Sequence, residues 1–182
     1  HGPYQRGECL SFPNPGVGAY FDLENPVARG QGLREVANAP QAEPSMPFTA
    51  RLVTGAGQGI GRGIAEAVAE AGSQVVATDL DLEAAAATAD AVIGSGGQAL
   101  GLELDVTDEE AFRRAVGRTI SELGRLDGLV NNAGVGPFID FLEVTEREWD
   151  EIMATNAKGP FLMTQRVART MLEAGRPGRI CT

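Results

Sequence analysis

Four glycines fall within the eight residues Thr54-Gly55-Ala56-Gly57-Gln58-Gly59-Ile60-Gly61, the stretch of this sequence best suited to chemistry. A nucleotide pyrophosphate needs backbone N–H groups at a helix N-terminus and no Cβ in its path. It also needs a last glycine that lets the helix press on the strand before it. Gly55, Gly57, Gly59 and Gly61 meet those needs if a strand precedes them and a helix follows, with Gln58 and Ile60 set beside the same ligand. No Gly-Lys-Ser/Thr ending follows, which disfavours a phosphate-hydrolysing loop. Asp79 stands about 20 residues past the loop, where a carboxylate accepts both ribose hydroxyls of the adenosine half of a dinucleotide and repels a 2′-phosphate. Asp81 is the better cap for the next helix, which releases Asp79 for the ribose. Leu80 is apolar and Gln58 neutral, so the residues favour NAD over NADP, while Arg62 is near enough to keep NADP open.

Such residues act only if a frame positions them, and the hydrophobic pattern supplies one. From Phe48 onward apolar strands alternate with Ala-rich helices, the mark of βαβ units on a parallel sheet. The first strand is expected at Ala50–Thr54, then a helix on Ile60, Ile64, Ala67, Val68 and Ala71 that closes at Gly72. A second strand is expected over 74–78, a helix over 82–93 and a third strand over 98–104. Thr107 and Glu110 form a capping-box pair for a helix with the face Phe112, Val116, Ile120 and Leu123, stopped at Gly124 before a fourth strand over 126–131. A second pair, Thr145 and Glu148, opens one long helix through Trp149, Ile152, Met153, Phe161, Leu162 and Val167. Arg179–Cys181 begins a fifth strand. The fold class is α/β, a doubly wound parallel sheet of Rossmann type, incomplete at its C-terminal side.

The region before Met46 differs in character. It holds six of the ten prolines, Pro3, Pro13, Pro15, Pro26, Pro40 and Pro44, seven with Pro47 just after it, and each removes a backbone donor and restricts its predecessor. Only 27–39 has the makings of a short helix. Residues 1–46 therefore read as an irregular Pro/Gly-rich segment outside the fold, and 47–182 as a partial NAD(P)-binding domain with Met46 as its start. His1 in place of an initiator methionine, and a strand that breaks off at Thr182, read as the ends of a fragment. A net charge of -10 argues against nucleic acid, whose binders neutralise phosphates with clustered cations. No run of about 18 apolar residues spans a bilayer. Cys9 and Cys181 form neither a CxxC pair nor a disulfide framework, which suits the cytoplasm.

With the loop written Thr54-Gly55-x-x-x-Gly59-x-Gly61, and Asn131-Asn132-Ala133-Gly134 after the fourth strand, the sequence resembles the short-chain dehydrogenase/reductase family. The likeness runs from about Phe48 to Ile180 and takes in Asp105-Val106-Thr107 and Ala154-Thr155-Asn156-Ala157-Lys158-Gly159. Taken singly, Asp105 or Asn131-Asn132 read equally well as turn residues. Their joint order argues against coincidence.

The resemblance implies an NAD(P)-dependent oxidoreductase that interconverts an alcohol and a ketone, as a homo-oligomer, with a small-molecule substrate and no metal. Asp105 and Val106 would hold the adenine; Asn132, Ala133 and Gly134 would line the cofactor and brace the sheet. The family's chemistry uses Tyr, Lys, Ser and Asn, and only the Asn is matched, by Asn156 in a proton relay. A phenol of ordinary pKa, about 10, needs a neighbouring cation to work near neutrality. Yet Tyr4 and Tyr20, the only tyrosines, lie in the unmatched stretch, and the only lysine, Lys158, follows Asn156. The Ser and the Tyr-xxx-Lys segment are expected beyond Thr182. The chain thus reads as the cofactor half of the enzyme, inactive alone. Two alternatives stand beside it: an inactive dinucleotide-binding module, and a remnant whose exposed sheet edge prevents stable folding. Gly136-Pro137-Phe138-Ile139 is the stretch left to touch substrate, whose identity stays open among ketoacyl, sugar-alcohol, diketone and steroid compounds. The long helix, a dimer face in family members, serves equally well as core.

Overall fold

A computed structural model describes residues 10–11 (backbone only), 49–136 and 138–182. Its strands are β1 (Leu10–Ser11), β2 (Ala50–Thr54), β3 (Gln74–Asp79), β4 (Ala99–Glu103), β5 (Gly128–Val130) and β6 (Arg179–Cys181). The helices are α1 (Gly59–Glu70), α2 (Leu82–Gly94), α3 (Glu109–Leu123), α4 (Glu146–Met153) and α5 (Gly159–Glu173). One sheet carries the order β1-β6-β5-β2-β3-β4. Strands β2 to β6 are parallel, and β1 pairs antiparallel with β6, Leu10 against Ile180 and Ser11 against Arg179.

The chain steps from β2 to β3 to β4 on one side, then returns to place β5 and β6 on the other side of β2. The switch in direction lies between β2 and β5, and in open α/β sheets the crevice at such a point receives the ligand. Burial explains the arrangement. Val75, Val76, Ala77 and Thr78 of β3 are all buried, as expected of a parallel strand covered on both faces. On one face Leu52, Val76, Leu102, Leu129 and Ile180 pack with Phe112 and Val116 of α3 and Met163, Val167 and Met171 of α5. On the other, Val53, Val75 and Ala77 pack with Ala65 of α1. Helix α2 comes close enough that a Cβ on Gly101 would lie 2.7 Å from the Ala86 Cα. At the opposite end of the sheet Asp127, nearly buried, accepts from the Ala50 N–H at 2.9 Å and from Arg125 at 2.6 and 2.8 Å. That hydrogen bond pushes the Arg125 guanidinium above its ordinary value.

Five details depart from the expectations. The Thr107–Glu110 capping box does not form: Asp108 caps α3 by accepting from the Glu110 N–H at 2.9 Å, and Asp105 Oδ1 takes both the N–H and the hydroxyl of Thr107. The buried stripe of α3 is Phe112, Ala115, Val116 and Thr119, and Ile120 is exposed. In α1 the buried positions are Gly61 and Ala65, with Ile60 at 79% exposure at the mouth of the helix. The long helix runs without a break over 146–173 but passes through a π turn, Ala154–Lys158, that divides it into α4 and α5, with Trp149, Met153 and Phe161 exposed. Cys181 is disulfide-bonded, against the expectation of unbridged cysteines. Cys9 and the helix expected over 27–39 lie outside the described residues. Other boundaries hold well: Asp81 caps α2 by accepting from Glu83 and Ala84, the Thr145–Glu148 box closes in both directions, and Gly124 ends α3 at φ 72°.

Candidate cofactor site

The glycine loop leaves the C-terminal end of β2 at the switch point, and its geometry explains each glycine. Gly55 (φ 63°) and Gly59 (φ 55°) adopt the left-handed region that a side chain would strain. A Cβ on Gly61 would lie 2.0 Å from the Gly55 carbonyl oxygen and 2.4 Å from Asn132 Nδ2, so the start of α1 presses on the loop and on Asn132 rather than on the strand. At Gly57 it would lie 2.8 Å from Asp79 Oδ2, while the space at Gly59 is open. Helices α2, α3 and α4 are each capped by a side chain; α1 has none, with Gln58 at its N-cap and no acid in its first turn. Its first N–H groups, left without an intrahelical partner, are therefore available to an anion.

Residues after β5 are tied to this loop. The Thr54 hydroxyl accepts from the N–H groups of Asn132 and Ala133, both at 3.0 Å, and donates to the Val130 carbonyl at 3.3 Å. The Asn132 amide donates to the carbonyls of Thr54 and Gly55 at 3.0 and 3.1 Å. One hydroxyl and one amide thus join both sides of the switch point. Gly134 follows, where a Cβ would lie 3.3 Å from Asn156 Oδ1.

Asp79 ends β3 beside the glycine loop. Its Oδ2 accepts from the Gly57 N–H at 2.8 Å and its Oδ1 from the Asp81 N–H at 3.2 Å. The carboxylate is held from two directions, and its remaining lone pairs stay available to hydroxyl donors. Leu80 and Asp105 line one open cleft of about 560 Å³ with Leu102, Ala111 and Arg114. Val106 is buried, and its carbonyl oxygen would sit 3.0 Å from a Cβ on Gly159, so that glycine permits the close approach of the α5 start. Gln58 and Ile60 are exposed at the loop.

Asn156 lies in the π turn. Its Oδ1 accepts from the Val135 N–H at 2.8 Å and its Nδ2 donates to the Val135 carbonyl at 2.7 Å, a two-ended bond to one residue of the loop after β5. Pro160, four residues on, has no N–H and cannot give the α-helical bond to the Asn156 carbonyl. The π turn is thereby legible in Pro160, although the run of apolar residues conceals it. Thr88 was also not anticipated: it is fully buried and donates to the Ala56 carbonyl at 2.8 Å. Its signal was a single polar letter in the stripe Ala85, Thr88, Ala89 and Val92.

A parallel sheet with this switch point, glycine loop and Asn-Ala-Gly segment is matched by known proteins. Residues 49–182 fit the short chain dehydrogenase family. The chain belongs to that family. It is 43% identical over 124 residues to the D-threitol dehydrogenase of Mycolicibacterium smegmatis, covering 68% of this chain and 48% of that protein. It is 40% identical over 129 residues to the sorbitol dehydrogenase of Cereibacter sphaeroides, covering 71% and 49%. A crystal structure of a short-chain type dehydrogenase/reductase from Mycobacterium marinum superposes with a TM-score of 0.67 at 37% identity, covering 69% of this chain and 50% of that one. The chain spans about half the length of these relatives. Short-chain dehydrogenases bind a nicotinamide dinucleotide, and the residues here fit one: an uncapped helix start for the pyrophosphate, bare glycines before it, and a fixed carboxylate one strand away. No helix among the described residues is long and apolar enough to cross a membrane.

Proposed function

We propose that this chain forms the cofactor-binding half of an NAD-dependent oxidoreductase that interconverts a small alcohol and its ketone. The observation that carries the choice of NAD is Asp79, whose carboxylate is fixed at the end of β3 beside Gly57. A carboxylate there accepts hydroxyl hydrogens and repels a phosphate. Bound nicotinamide supplies the site that gives or takes the hydride. Gly55, Gly57, Gly59 and Gly61 present backbone and the start of α1 to the pyrophosphate, with Gln58 and Ile60 over it. Leu80, Asp105 and Val106 hold the adenine side. Asn132, Ala133 and Gly134 carry the loop on which the nicotinamide side rests. Asn156 contributes to a proton relay: its side chain is fixed by Val135, and its carbonyl lacks the α-helical donor that Pro160 withholds. The names of the threitol and sorbitol relatives favour a polyol among the possible substrates. Self-association, through the exposed Trp149 and Phe161, belongs to the same reading.

The chain as it stands binds cofactor without turning over alcohol, because its tyrosines, Tyr4 and Tyr20, lie outside the residues matched to the family. Titration of the chain with NADH and NADPH, followed by fluorescence and by melting temperature, tests the reading. NADH is expected to bind more tightly and to raise the melting temperature. Stronger binding of NADPH would overturn the choice of NAD, and binding of neither would overturn the proposal as a whole. NADH production from NAD and a polyol above heat-killed controls would overturn the inactivity of the chain.

A further inference from the structure

The Ala56 carbonyl and the Gly57 N–H are two ends of one planar peptide. Its oxygen accepts from the Thr88 hydroxyl at 2.8 Å, and its hydrogen is donated to Asp79 Oδ2 at 2.8 Å. Thr88 is at 0% exposure on α2, 32 residues from Ala56 in sequence. A buried hydroxyl is costly without a partner, and this bond to the loop supplies one. A third bond, from the Ala56 N–H to the Thr78 carbonyl at 2.8 Å, fixes the preceding peptide. Turning the Ala56–Gly57 plane would break the Thr88 and Asp79 bonds together.

We propose that Thr88 is a positioning residue for cofactor selection. By fixing the Ala56–Gly57 peptide it sets the Gly57 N–H against one oxygen of Asp79, and so aims the remaining lone pairs of that carboxylate at the ribose hydroxyls. The proposal rests on the NAD reading above. Thr88 itself touches no cofactor; it acts through the peptide plane and through Asp79. Thr88→Val keeps the shape of the side chain and removes the donor, leaving the buried Ala56 carbonyl without it. Thr88→Ser keeps the donor and loses only a methyl.

The test compares wild type, Thr88→Val, Thr88→Ser and Val92→Ala, the last from the same buried stripe of α2 but making no bond to the loop. Melting temperature without ligand and the dissociation constants of NADH and NADPH are measured for each. Thr88→Val and Val92→Ala are both expected to melt lower. Only Thr88→Val is expected to weaken NADH, by about three- to tenfold, the worth of one well-placed hydrogen bond. It also narrows the preference for NADH over NADPH, and Thr88→Ser restores both. On an Asp79→Ala background the same change is expected to add less than about twofold, because the group being aimed has gone. NADH affinity in Thr88→Val within about twofold of wild type would overturn the proposal, as would an equal loss in Val92→Ala. Should the valine variant not fold, Thr88→Ala, which gains helix propensity, carries the same comparison. Failure of wild type to bind either dinucleotide would instead overturn the NAD reading, and this proposal with it.

Discussion

Replacing Thr54 by valine tests the join between β2 and β5 with almost no change of shape. The hydroxyl lost is the acceptor for the N–H groups of Asn132 and Ala133, both at 3.0 Å, and the donor of a longer bond to the Val130 carbonyl. The two N–H groups are not equivalent. Asn132 N–H also reaches the Val130 carbonyl at 3.1 Å and keeps that partner, whereas Ala133 N–H has Thr54 alone among the bonds of the described residues. A partly buried donor left unsatisfied costs about 1–3 kcal/mol, and the weakened bonds at Asn132 and Val130 add about 1 kcal/mol. The sum is about 2–4 kcal/mol. For a domain of this size each kcal/mol lowers the melting temperature by about 2–4 °C, so a fall on the order of 4–16 °C is expected.

The assay is thermal unfolding followed by circular dichroism, for wild type, Thr54→Val and Thr54→Ser. Serine keeps the oxygen and is expected to recover most of the loss, giving up about a methyl group, about 0.8 kcal/mol. A valine variant that melts within about 2 °C of wild type would refute the reasoning, because it would mean that Ala133 N–H finds water or another acceptor at no cost. A serine variant as unstable as the valine one would refute it differently, by assigning the effect to the methyl group.

Two further outcomes follow from the same geometry. In α1, Gly61→Ala places a methyl against the Gly55 carbonyl and Asn132 Nδ2 and is expected to destabilise by about 1–3 kcal/mol or more; Gly63→Ala, two residues on with open space around it, is expected to stabilise by about 0.4–1 kcal/mol in denaturant unfolding. At the start of α4, the Thr145 hydroxyl and backbone N–H hold the Glu148 carboxyl below its ordinary value of 4.5. A depressed carboxylate stabilises the fold above 4.5 and loses that contribution as pH falls through the lowered value. Wild type is therefore expected to melt above Glu148→Gln at neutral pH and to lose that advantage in acid; a gap that stays constant in acid would contradict the assignment.

The glycine loop was legible as a bare turn between strand and helix, while the steric role of each glycine came from the structure. Gly55 and Gly59 take positive φ, Gly57 admits the Asp79 carboxylate, and Gly61 admits the Gly55 carbonyl. The sheet was legible too, since runs such as Val75, Val76 and Ala77 are buried on both faces and leave no alternative to a central strand. Caps were harder, because several short polar side chains compete for the same N–H groups. Around α3 the Asp105 and Asp108 carboxylates outcompete Thr107 and Glu110, and nothing in the spacing ranks them.

Threonine on the helices was what the pattern missed, at Thr88 and Thr119, whereas Thr54 and Thr78 lie in the strands where they were expected. Thr54, Thr78, Thr88 and Thr119 are each at most 1% exposed, and each hydroxyl donates to a backbone carbonyl: those of Val130, Val53, Ala56 and Ala115. A pattern that counts Thr as polar rotates the buried face of a helix away from it, which is how Ile120 was preferred to Thr119 on α3. The physical rule runs the other way. A β-branched side chain whose hydroxyl is satisfied packs as valine does, so a threonine inside an alanine-rich stripe is a core residue with one bond to place. On α3 that bond returns to its own helix at Ala115; on α2 it leaves the helix for Ala56. The sequence is silent on that difference because it depends on which backbone lies opposite the helix. On α2 the backbone opposite is the Ala56–Gly57 peptide, whose N–H donates to the Asp79 carboxylate.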